Sequence, residues 1–116
     1  FGDVSMAKGK VRYTFTVTNA SAVPITVEKV YTSCMCTEAK FTKQAGKPRG
    51  PFGMPGHGFI PKINETLAPG EEAQIEAIFD PAAHGPAGVG PVERVVYVES
   101  ANAPTVELTF SAVVTP

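Results

Sequence analysis

Two cysteines and two histidines are all that the 116 residues contain, no segment shows a helical period, and no apolar run nears the roughly 20 residues that cross a bilayer. Two thiols cannot supply a disulfide framework, so a chain of this length has to be held by a hydrophobic core. Without a helical period, strands are the remaining way to build that core. Charge is sparse, at 18% of residues with a net charge of −1, which excludes the electrostatics of a nucleic-acid binder. A soluble domain with no transmembrane segment is expected. No charged-then-apolar leader precedes Phe1, and the chain opens in mid-pattern at Phe1-Gly2-Asp3-Val4, so we expect a mature or excised piece of a longer precursor. Catalytic signatures are missing as well. Neither cysteine lies in a protease-type setting, residues 46–58 lack the Lys-Ser/Thr ending of a phosphate loop, and residues 85–90 do not open a helix. The expectation is a protein that is not an enzyme.

What is present is period-two alternation bounded by turn residues. Val11, Tyr13, Phe15 and Val17 share one face, as do Ala73, Ile75, Ala77 and Phe79, and Val106, Leu108, Phe110, Ala112 and Val114. Residues 92–99 are apolar on both faces in their middle, as a central strand would be. Between Ile25 and Cys36 the phase slips, because Ile25 and Val27 are odd-numbered and Val30 is even; a β-bulge near Glu28–Lys29 restores it and turns Val30, Thr32, Cys34 and Cys36 inward, with Met35 outward. Short strands around 3–5 and 59–63 bring the count to about seven. The expected fold is all-β, an immunoglobulin-like antiparallel sandwich forming a single domain over 1–116, with a Gly/Pro-rich insertion at about 38–66.

The order of Phe-Gly-Asp-Val at the start, Tyr13-Thr14-Phe15-Thr16-Val17-Thr18-Asn19, Thr32-Ser33-Cys34-Met35-Cys36-Thr37, Leu67-Ala68-Pro69-Gly70-Glu71 and Phe79-Asp80-Pro81 resembles the Hydin-like immunoglobulin domains. It is most similar to their bacterial branch of exported domains without assigned function, which typically read Thr-Ser-Cys-Gly-Cys-Thr at the cysteines. The resemblance implies a periplasmic or extracellular location and no enzymatic activity. Met35 departs from the family glycine and adds a third sulfur, and the 38–66 segment is longer than the family pattern.

Chemistry, if there is any, gathers at one end. Successive loops of a sandwich alternate between its poles, so the end of the strand at Cys36, the 38–66 insertion and the 81–91 loop share one pole, opposite the turns at 20–24, 67–71 and 101–104. Cys34, Cys36, Met54, His57 and His84 are thereby predicted together. In an extended strand the two thiols face the same way, with their Cα atoms about 6.6 Å apart. That is at the edge of the roughly 4.4–6.8 Å between the Cα atoms of a bridged pair, so a disulfide between them would be strained and easily reduced. Cys34, Cys36, His57 and His84 would suit zinc, and adding Met54 or Met35 would tilt the set toward copper. The plainer alternative is that the thiols are small buried groups and the histidines solvated loop residues. Lys40, Lys43, Lys47, Arg49 and Lys62, interleaved with Phe41, Phe52 and Phe59, either hold an anionic partner or form a solvated loop pinned by its aromatics, and the second is preferred.

The sequence therefore reads first as a non-catalytic exported binding or scaffold module without a cofactor, its partner a protein or cell-envelope component. The alternative is a copper- or zinc-binding protein using Cys34, Cys36, His57 and His84 with Met54. The weaker alternative is a thiol–disulfide module.

Overall fold

The computed structural model describes residues 1–43, 46–56 and 60–116. Nine strands are present among them: β1 (Asp3–Ser5), β2 (Val11–Thr18), β3 (Ile25–Thr32), β4 (Thr37–Lys43), β5 (Arg49–Phe52), β6 (Glu65–Leu67), β7 (Glu72–Phe79), β8 (Gly90–Ser100) and β9 (Val106–Thr115). They form two sheets, ordered β1-β9-β8-β3-β6 and β2-β7-β4-β5. Every pairing is antiparallel except β1 with β9. The fold is all-β and an immunoglobulin-like sandwich, and the described residues contain no α-helix.

The alternating side chains meet between the sheets. Ala73, Ile75, Ala77 and Phe79 of β7 face Val96 and Val98 of β8, Phe110, Ala112 and Val114 of β9, and Val27 and Val30 of β3 across one continuous core. β8 lies between β9 and β3; Val96 and Val98 in its middle are buried, while Tyr97 between them stacks on Tyr31 of β3 with ring centroids 5.1 Å apart. The register of β3 against β8 shifts between Val27 and Lys29, where the phase of the sequence slips. Val30 and Thr32 are buried after the shift, and Met35 is exposed. At the opposite pole Asn19, buried, donates through Nδ2 to the carbonyls of Val23 and Leu67 at 2.9 Å each and ties the 20–24 and 67–71 turns together.

Three expectations are corrected. The 38–66 segment is not a Gly/Pro loop throughout: Thr37–Lys43 pairs with β7 residue for residue and Arg49–Phe52 extends that sheet. Thr37, Ala39 and Phe41 are buried while Glu38 and Lys40 alternate with them, a period-two pattern masked in the sequence by the glycines and prolines that follow. The strand expected at 59–63 is absent over 60–63, and Phe59 lies outside the described residues; the second sheet takes its strand from β4 instead. The strand through Cys36 stops at Thr32, because the chain turns there to cross to the other sheet.

The basic residues of this segment are also largely paired. Lys43 lies 3.8 Å from Glu71, Arg49 3.3 Å from Glu65 and Lys62 3.3 Å from Glu28. Phe41 and Phe52 are buried. The segment is pinned by these two aromatics, and three of its five cations stand beside acidic side chains.

Because Phe41 is fully buried in β4, Phe41→Ala is expected to destabilise the domain by about 3–5 kcal/mol. Chemical denaturation measures this, and a loss below about 1 kcal/mol, the ordinary range for a surface site, would contradict the placement of β4 in the core.

Candidate metal centre

Thr32, the last residue of β3, begins the crossing between sheets. Its hydroxyl is buried, 2.9 Å from the carbonyl of Cys34 and 2.8 Å from that of Thr37, with hydrogen available to either. Thr37 N–H donates back to Cys34 O at 3.1 Å, closing a tight turn over Cys34-Met35-Cys36-Thr37. Ser33 fastens the turn to β8, its N–H donating to Val95 O and its Oγ accepting from Val95 N–H, both at 2.9 Å. Cys36 O accepts from Asp80 N–H at 2.8 Å, fastening the turn to the end of β7. The cysteines are therefore held in a turn rather than in an extended strand, and the spacing argued for a strand does not apply.

The hydrogen bond from Asp80 also positions the next loop. Asp80 Oδ1 accepts from Ala82 N–H at 3.0 Å and Asp80 O from Ala83 N–H at 3.3 Å, winding residues 80–84 back over the cysteine turn. His84 arrives with Nε2 3.2 Å from Cys34 Sγ. The backbone packs closely behind it: a Cβ on Gly88 would stand 3.2 Å from the His84 Cβ. Donor atoms of Cys34, Cys36 and His84 all lie within 4.8 Å of one another. Both cysteines are buried and the histidine is exposed, so the group opens to solvent on the imidazole side.

A charged residue completes the arrangement. Arg94 of β8 donates through Nε to Cys36 Sγ at 3.2 Å, and its NH1 group donates to the carbonyl of Glu93. Burial alone would raise the Cys34 thiol; hydrogen bonds from the Cys36 thiol, His84 and the Cys36 backbone N–H, with the charge of Arg94, outweigh it and bring the pKa down to about 7. Cys36 moves the other way, pushed up by burial and by Cys34 against donation from Thr37 and Arg94. The pair thus holds one proton over a wide range, on Cys36 and shared toward the Cys34 thiolate. Burial works against the Arg94 charge, and the two sulfurs more than offset it.

Residues 1–51 match the family described as Protein of unknown function (DUF1573). No curated protein matches the chain. The matched stretch contains the cysteine turn and ends within β5, before His84 and Arg94.

Of the predicted ligands, the fold brings Cys34, Cys36 and His84 into one group. Met54 lines a cleft of about 240 Å³ together with Met35 and Cys36, placed there by the hydrogen bond from Thr32 N–H to Gly53 O at 3.1 Å. His57 lies outside the described residues. Arg94 was not foreseen, although a signal was available. It stands among Val92, Val96 and Val98 in the even-numbered series of β8, whose partners include Ala112 and Phe110, both buried on the inward face of β9. A cation in an inward series calls for a buried anion.

The thiolate fraction of Cys34 governs its nucleophilicity. Its alkylation by iodoacetamide is expected to rise with pH through a midpoint near 7. His84→Ala removes a donor to the charged sulfur and is expected to move that midpoint upward, toward an ordinary thiol. An unchanged midpoint in the variant, followed by mass spectrometry, would contradict the contact.

Proposed function

We propose that this domain is a non-catalytic module that binds one soft metal ion through Cys34, Cys36 and His84, with the Met54 thioether beside them. The observation that carries the reading is the convergence of two thiol sulfurs and one imidazole nitrogen within 4.8 Å, drawn from two loops separated by some fifty residues of sequence. Donors about 2.0–2.3 Å from a common ion stand roughly 3.5–4 Å apart in a three-coordinate arrangement. Closing this group on an ion therefore takes side-chain shifts on the order of 1 Å or less, small against what exposed imidazoles do freely.

The donor chemistry narrows the ion. Thiolate and imidazole together select copper or zinc over magnesium, calcium or manganese. The turn supports binding in the way an outer coordination layer does: Arg94 and the Cys36 N–H stabilise negative sulfur, and Thr32 fixes the backbone that carries it. The histidine Nε2 next to Cys34 is the coordinating atom; on binding a metal it gives up the hydrogen it shares with that sulfur, leaving the ring proton on Nδ1. The resemblance to exported Hydin-like domains supports a periplasmic or extracellular setting. The sandwich serves as a rigid frame there, and a protein or cell-envelope component is the partner class we infer for it.

Elemental analysis of the purified protein beside a titration of free thiols tests this. One equivalent of copper or zinc per chain is expected, lost in Cys34→Ser and Cys36→Ser. Removing an outer-layer partner from a metal site costs about 10–100-fold in affinity, and His84→Ala is expected to cost at least that. Two free thiols with no metal bound, even after incubation with copper(I) or zinc, would return the domain to a plain scaffold. An oxidised, easily reduced pair would assign it to thiol–disulfide exchange.

A further inference from the structure

Arg94 points from a central strand into the rim of the core, and among the described residues no carboxylate lies within ion-pair distance of it. Its Nε is directed at Cys36 Sγ, 3.2 Å away, so the anion that balances this guanidinium is a sulfur. A fixed positive charge beside a pair of ligating thiolates does more than hold them. It sets the total charge that the site can accept.

We propose that Arg94 makes this a site for a monovalent soft ion, copper(I), rather than for zinc; the inference rests on the metal-binding reading above. Two thiolates, a neutral imidazole and a monovalent ion carry one net negative charge, which Arg94 neutralises. With a divalent ion the same ligands are already neutral, and Arg94 leaves an uncompensated positive charge next to two buried cysteines, where charge is costly. The softness of the donors agrees: among the described residues three donor atoms converge, two of them thiol sulfurs. The thioethers of Met35 and Met54 share a cleft with Cys36, and thioether sulfur suits copper(I). Glu38 and Asp80 line that cleft with Lys10, but no carboxylate joins the donor group.

The test measures two affinities on each protein, reduced and under anaerobic conditions: copper(I) against a chromophoric copper(I) chelator, and zinc against a chromophoric zinc chelator. Wild type is expected to bind one copper(I) and to prefer it to zinc relative to Arg94→Gln. One unit of charge about 4 Å away in a partly solvated setting changes binding by about tenfold or more, so the copper-to-zinc affinity ratio is expected to fall by that much in Arg94→Gln and to be largely kept in Arg94→Lys. The ratio is taken within one protein, so a general loss of stability cancels. Arg94→Met provides a second neutral variant should Gln not support the fold. An unchanged ratio in the neutral variants, or tighter zinc than copper(I) binding in the wild type, would overturn the assignment while leaving metal binding intact. A wild type that takes up neither ion removes both.

Discussion

The chain has to pass from one sheet to the other between Thr32 and Thr37, and it has to do so with Cys34, Cys36 and Thr37 out of water. A buried peptide group without a partner costs about 1–3 kcal/mol, so the crossing is feasible only if its polar atoms are satisfied locally. The Thr32 hydroxyl, the Thr37 N–H, Ser33 against Val95 and Asp80 against Cys36 meet that demand. The same bonds fix where the two sulfurs sit and bring the following loop over them. The candidate site is thus a by-product of solving a backbone problem at the rim of the sandwich.

The sulfur cluster is unusual in its charge pattern more than in its shape. Two like acidic groups side by side cannot both ionise without help, and burial alone would keep both thiols neutral. Donors on one flank, His84 and a backbone N–H, favour charge on Cys34, while Arg94 on the other flank faces Cys36. The result is an asymmetric pair in a setting that already supplies most of the electrostatic compensation a bound cation would otherwise have to bring. Preorganisation of this kind is what the proposed metal site would draw on.

Much of the architecture was legible in the alternation of residues along β2, β7, β8 and β9, because a half-buried strand writes its inward face directly into the sequence. The slip between Val27 and Lys29 was legible for the same reason. β4 was not read, since its alternation over Thr37–Phe41 is only a few residues long and the glycines and prolines after it suggested a loop. The poles of the sandwich followed from strand order alone and correctly gathered Cys34, Cys36 and His84. The turn geometry of the cysteines did not follow, because it depends on hydrogen bonds from Thr32, Ser33 and Asp80 to positions that local sequence does not pair. Arg94 could have been found by asking which charge lies in an inward series.

The register slip in β3 has a consequence for how this domain tolerates change. A β-strand has only two phases, so a single residue lost upstream of Val30 would exchange them for the rest of β3. Tyr31 would then take the buried place of Val30, and the Thr32 hydroxyl that bonds within the cysteine turn would leave the core side. Substitutions along β3 alter one contact at a time, whereas a one-codon deletion there would unfasten the turn in a single step. The bulge is therefore the element whose length, rather than whose side chains, any descendant of this domain has to preserve.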